Sequence, residues 1–154
     1  MLKNALMLTA LLLPACFAQA QDYTAGKMVI HDPWSMALPP NAPAVAAYFT
    51  IQNEGDTPDR LLSVETPVAG QAQLHEHVHA DGLMKMQQVQ SVAVAPQASV
   101  KFAPMTWHVM LLDLKDRSKL VVGQQFPLTL HFEKAGDIEV QVQVRSEPSG
   151  HHQH

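Results

Sequence analysis

Near the end of the chain, Ile138, Val140, Val142 and Val144 alternate with Glu139, Gln141 and Gln143. An apolar residue at every second position is the mark of a strand with one face buried and one in water. Phe126, Leu128, Leu130 and Phe132 repeat the pattern around Pro127, Thr129 and His131, and Pro127 near the start reads as an edge or strand-beginning position. Further candidate strands run over 46–53, 60–65, 73–79, 83–89 and 100–102. The run 109–114 is apolar on both faces except for Asp113, which predicts a central strand. Turn chemistry separates these runs, at Pro39-Pro40-Asn41, Asn53-Glu54-Gly55-Asp56, Asp81-Gly82 and Ala135-Gly136-Asp137. No window of a dozen residues keeps a helical apolar stripe. Short strands with frequent turns in 154 residues predict one all-β domain, a Greek-key sandwich or barrel.

The first twenty residues read differently. Lys3 supplies a positive start, residues 5–13 an apolar stretch too short to span a bilayer, and Ala18-Gln19-Ala20 a small-residue cleavage site. We expect an export signal over 1–20, the functional domain over 21–147 and a His-rich tail over 148–154. Leu13-Pro14-Ala15-Cys16 resembles a lipobox, which would anchor the chain through Cys16; proline just before the small residue is unusual there, and soluble release is the favoured reading. No other segment is apolar long enough to cross a membrane. Removal of residues 1–20 would also remove the single cysteine, so the exported chain has neither a disulfide nor a thiolate metal site. The formal net charge of −4 gives nucleic-acid binding no electrostatic footing.

With thiols absent, nine His and eight Met are the unusual chemistry. The segment 74–86, Leu-His-Glu-His-Val-His-Ala-Asp-Gly-Leu-Met-Lys-Met, centres on Asp81-Gly82, a type I′ hairpin signal. In that turn residues pair when their numbers sum to 163, so His79 faces Met84, His77 faces Met86 and His75 faces Gln88. Three imidazoles and two thioethers then share one side of a hairpin, with Glu76, Val78, Leu83 and Lys85 on the other. His108 and Met110, two apart, share a face of the next apolar strand, with Thr106 and Met105 close by. Packing that strand on the hairpin would gather His75, Met86, His108 and Met110. Imidazole with thioether suits copper, above all Cu(I), and poorly suits zinc, calcium or magnesium. Taken singly, Met84 and Met105 read as core filler, His131 as an outward solvated residue and His31 as a turn residue.

The spacing His75-x10-Met86-x21-His108-x-Met110 resembles the signature of the periplasmic PCu(A)C copper chaperones. His31-Asp-Pro-Trp34, residues 46–53 (AAYFTIQN), Asp59-Arg-Leu-Leu62 and Leu74-His-Glu76 agree with it, so the likeness covers most of 27–144. The resemblance implies a cupredoxin-like fold, a partly exposed Cu(I) site of His75, Met86, His108 and Met110, and no enzymatic role. It also implies delivery of copper to the CuA centre, sometimes CuB, of the copper-bearing subunit of cytochrome c oxidase, alongside a Sco-type thioredoxin-fold protein. Two departures stand out. Relatives commonly carry Gly before the His-x-Met pair where this chain has Pro104-Met-Thr-Trp107, which makes Met105 an auxiliary sulfur candidate. His77 and His79 are additional, so which imidazole binds stays open, and a nitrogen-richer site would suit Cu(II). The tail residues His151, His152 and His154 are candidates for a second, looser Cu(II) site.

Other classes fare worse. An electron-transfer cupredoxin needs a Cys ligand. A cupin-type enzyme would need a Glu soon after His75-x-His77, and no Ser or Cys nucleophile has a plausible His partner. A copper-sequestering protein of the same chemistry is the remaining alternative, and the surplus histidines favour it.

Overall fold

The computed structural model describes residues 21–146; the expected signal with Cys16 and the tail with His151, His152 and His154 lie outside the described residues. Eleven strands follow one another: β1 (Tyr23–Ala25), β2 (Met28–Met36), β3 (Val45–Asn53), β4 (Asp59–Glu65), β5 (Ala69–Ala80), β6 (Leu83–Val89), β7 (Val92–Val94), β8 (Ser99–Lys101), β9 (His108–Leu114), β10 (Gln125–Phe132) and β11 (Gly136–Arg145). One 3-10 turn, Arg117–Leu120, links β9 to β10, with the Asp116 carboxylate accepting from Ser118 N. Among the described residues no helix is long and apolar enough to cross a membrane.

The strands join in the order β6-β5-β9-β3-β2-β11-β10-β4-β7, with β1 on β2 and β8 on β3. Every pairing of strands is antiparallel except β11 with β2. The chain crosses from β4, near one end of this order, to β5, near the other, and β9 later inserts between β5 and β3. The result is the all-β sandwich expected from the alternation, with the cupredoxin-like character that the resemblance implied. Its core is the inward set of each strand, including Ile30, Phe49, Ile51, Leu61, Leu111, Phe126, Leu128, Leu130, Val140 and Val142. Phe49 and Phe102 stack at its centre, ring centroids 4.5 Å apart. Burying each such side chain contributes about 1.5–3 kcal/mol.

Of the two readings of Pro127, the strand-beginning one holds: β10 lies between β11 and β4 and is not an edge, and Pro127 is tolerated because the β4 ladder begins only at Thr129. The missing N–H therefore costs no bond on that side. His31 is not in a turn but inside β2, a strand disguised in the sequence by Asp32-Pro33. There the register with β3 slips by one residue between His31 and Trp34, and Asp32 takes φ 47°. Arg145 from β11 binds the Asp32 carboxylate and lies 5.8 Å over the Trp34 ring, covering this bulge. The central placement of 109–114 holds, since β9 is paired on both sides.

Candidate metal centre

Asp81 and Gly82 adopt φ 52° and 74°, the left-handed pair a type I′ turn requires. The turn sets the β5–β6 register: His75 opposite Gln88, His77 opposite Met86, His79 opposite Met84. On the other side of β5, β9 places Met110 opposite Gln73 and His108 opposite His75. Directly opposed residues share a face. That face therefore reads in rows, from Gln73 with Met110, through His108–His75–Gln88, to His77 with Met86 and His79 with Met84. The β9 ladder stops at His108, so the hairpin beyond His75 continues as a two-stranded ribbon.

Three imidazoles meet where the ribbon leaves the sheet. The ring of His108 lies 5.2 Å from that of His75 and 5.3 Å from that of His77, centroid to centroid. His75 Nε2 is 2.9 Å from Gln73 Oε1. The amide oxygen can only accept, so the proton sits on Nε2 and Nδ1 carries a lone pair. Among the described residues His75 Nδ1 is buried with no hydrogen-bond partner, and so is His108 Nε2. Of the His108 ring nitrogens, Nε2 is the open one, and the Thr106 backbone beside the ring favours its protonated form. Desolvation pushes the pKa of His75 below that of an ordinary imidazole. His108 is lowered too, first by desolvation, then by His75, with a smaller lowering from His77 and an opposing effect from the Thr106 bond. Both rings are thus neutral at pH 7 and present unprotonated nitrogens. Leaving each unpaired costs about 1–3 kcal/mol, which a soft cation accepting both lone pairs would recover.

Among the described residues no three His, Cys, Asp or Glu side chains are arranged to hold a metal. A centre here must be completed by thioethers, and the rows supply them on both flanks. Met110 is half-buried one row inward, and Met86 is one row outward and 54 % exposed. Met84 is also exposed, so neither hairpin methionine is core filler. The reading of Met105 as core packing is likewise corrected: it is 63 % exposed at φ 71°. Its turn is closed by Thr106, whose Oγ1 accepts from Ala103 N at 3.1 Å and donates to Ala103 O at 2.9 Å. Trp107 packs toward the core beside Phe102.

His31 and His131 are engaged elsewhere. His31 bonds Asp22 at 2.8 Å and Gln52 at 2.9 Å. His131, expected to be merely solvated, bonds Asp137 at 2.6 Å and Glu65 at 3.3 Å. Gln73 was missed from the sequence, although its place two residues before His75 put it on the same face. A cleft of about 530 Å³ along Gly26–Met28, Asn53–Thr57 and Lys134–Ala135 includes none of the cluster.

Residues 28–144 match the family model described as "Putative lipoprotein LpqE-like". The chain belongs to the LpqE-like family. A curated relative from Leifsonia xyli subsp. xyli, named "Putative lipoprotein Lxx21020", is 32 % identical over 101 residues, 65 % of this chain; the match spans 60 % of that protein's length. Among solved structures, the copper-bound PCuAC domain from PmoF2 superposes with a TM-score of 0.70 at 28 % identity, covering 82 % of this chain and 98 % of that domain. The apo PCuAC domain from PmoF1 gives 0.70 at 31 % identity, over 82 % and 99 % of the two chains. The Cu(I) form of DR1885 from Deinococcus radiodurans gives 0.63 at 28 %, over 84 % and 83 %. The LpqE-like chain thus has PCuAC copper-binding domains as structural neighbours.

Proposed function

We propose that this protein is an exported copper carrier, without catalytic activity, that binds Cu(I) through His75, His108, Met86 and Met110. The observation that carries the reading is the pair of buried, unpartnered ring nitrogens on His75 and His108, set between two thioether rows. The copper-bound PmoF2 domain and the Cu(I) form of DR1885 support it. All four ligands are neutral, so loading releases no proton and the site needs no thiol that an oxidising compartment would attack. The ligand set is graded: His108 is 3 % exposed and Met86 54 %. An acceptor can therefore displace Met86 first and draw the ion out by ligand exchange. The acceptor proposed is the copper-bearing subunit of cytochrome c oxidase, at CuA or CuB, with a Sco-type protein acting beside it.

The test is an anaerobic Cu(I) titration against a chromophoric chelator, followed by mixing the loaded protein with an isolated CuA domain. One tight equivalent, weakened by Met86→Ala and Met110→Ala, and passed to the CuA domain supports the carrier. Tight binding with no transfer supports the second reading, copper sequestration, which the additional His77 and His79 and the exposed Met84 favour. Deleting 150–154 tests the tail as a Cu(II) site: a fall in Cu(II) stoichiometry supports it and an unchanged stoichiometry refutes it. We place the protein in the periplasm. The lipoprotein names of the family and the relative favour an anchored form through Cys16 as the alternative to release after Ala20, and the mass of the mature N-terminus decides between them.

A further inference from the structure

We propose that the outer rows of the β5–β6 ribbon, His79 facing Met84 and His77 facing Met86, hold a second Cu(I) ion; the inference rests on the carrier reading for the inner one. Directly opposed residues in an antiparallel pair bring their Cβ atoms to about 4.5–5.5 Å, within joint reach of one metal. The next row lies about 7 Å on, too far for one ion to take every donor. Four soft or borderline donors lie beyond the His75–His108 row: Met86, shared with the inner ion, and His77, His79 and Met84, left for a second. Met86, diagonal to His75 and opposite His77, and the His77 ring, 5.3 Å from that of His108, adjoin both groups.

The ribbon is built for this rather than for packing. β9 ends its pairing at His108, so no strand among the described residues covers the outer rows. Met84 and Met86 stay 39 % and 54 % exposed, gaining nothing from the core. The type I′ turn fixes the register that keeps imidazoles opposite thioethers, since a slip of one residue would scatter them to opposite faces. On the reverse face Gln87 Nε2 donates to Glu76 Oε1 at 2.6 Å, tying the two strands together. The donor set selects Cu(I). Repulsion between two +1 ions about 7 Å apart in partly solvated surroundings makes the outer site about tenfold weaker than an isolated one. It is the landing and departure position, with Met86 passing the ion between rows.

The experiment is an anaerobic Cu(I) titration of the full chain with 13C-methyl methionine, read by NMR together with chelator competition. The expected result is two equivalents, with the Met110 methyl moving in the first stage and Met84 in the second. The double variant His79→Ala, Met84→Leu should bind one equivalent with its first affinity changed less than twofold. A His151→Ala, His152→Ala, His154→Ala chain should retain both. Saturation at one equivalent with Met84 unmoved overturns the outer site and leaves the carrier reading intact. Loss of the second equivalent with the tail substitutions also overturns it. If Cu(I) moves neither Met110 nor Met84, both readings fall.

Discussion

His108→Leu should make the metal-free protein more stable while destroying its response to copper. His108 is 3 % exposed, and its Nε2 has no partner, a penalty of about 1–3 kcal/mol. Leucine removes that nitrogen and keeps an apolar side chain in a buried position. Against this stands the lost bond to the Thr106 backbone, about 0.5–1.5 kcal/mol, softened because Thr106 is exposed and its carbonyl can turn to water. The net expectation is about 1 kcal/mol of added stability, a rise in Tm of about 3–6 °C for a domain of this size. Supplying Cu(I) at about a thousand times its Kd should stabilise the wild type by about 4 kcal/mol and the variant far less, so the order of stability reverses. Urea unfolding with a Cu(I) chelator present, then repeated with buffered Cu(I), reads both halves. A metal-free variant that is less stable than wild type by 1 kcal/mol or more would refute the reasoning, because it would show His108 to be a satisfied core group.

Gln73→Leu frees the His75 ring from its 2.9 Å partner and should weaken Cu(I) binding by about 10- to 100-fold, measured by chelator competition, with little change in metal-free stability. Met105→Gly should be neutral or stabilising and Met105→Val destabilising by about 1 kcal/mol or more, since φ 71° suits glycine and opposes a β-branched residue while no packing is lost at an exposed site; thermal unfolding of the two variants side by side reads this. Acid should act through the cluster. The folded pKa values of His75 and His108 are lowered, so below about pH 6.5 the unfolded chain takes up protons first and stability falls with pH. His31 and His131, raised by Asp22 and by Asp137, contribute oppositely: their stabilisation is full below about pH 6.5 and is lost as pH climbs through their folded values. His108→Leu deletes one acid-labile contribution, so its stability advantage over wild type should widen between pH 7 and 5; a constant gap in urea unfolding contradicts the assignment.

The parts of this molecule that sequence made legible are those governed by local rules. The Asp81-Gly82 turn dictates its own geometry, and through it every pair in the β5–β6 ribbon, so the pairing sum of 163 could be written down and is what the strands adopt. The alternation in β10 and β11 placed Phe126, Leu128, Val140 and Val142 in the core for the same reason. β2 was hidden because Asp32-Pro33 breaks the alternation, and the bulge there is held by Arg145, 113 residues away. Pairwise contacts so remote leave no periodic trace.

The row that β9 occupies beside β5 is a matter of tertiary packing, and the site depends on it. No turn links the two strands, since 81–107 intervene, so the x21 spacing fixes a face for His108 but not its neighbour. The register is set by the inner side, where Leu74, Val109 and Leu111 are only 3 %, 0 % and 0 % exposed. Seating those three in the core forces the intervening residues outward and brings His108 level with His75. His108 then lies on the outer face yet is buried, with the His75 and His77 rings beside it. That explains at once why its pKa falls and why Nε2 finds no partner. The core therefore positions the lone pairs, and a change there should be felt at the metal: Leu111→Ala, which leaves a cavity worth about 2–5 kcal/mol, should loosen the His75–His108 row and lower Cu(I) affinity without touching a ligand. Unchanged affinity in a folded Leu111→Ala protein would mean that the ribbon alone sets the site.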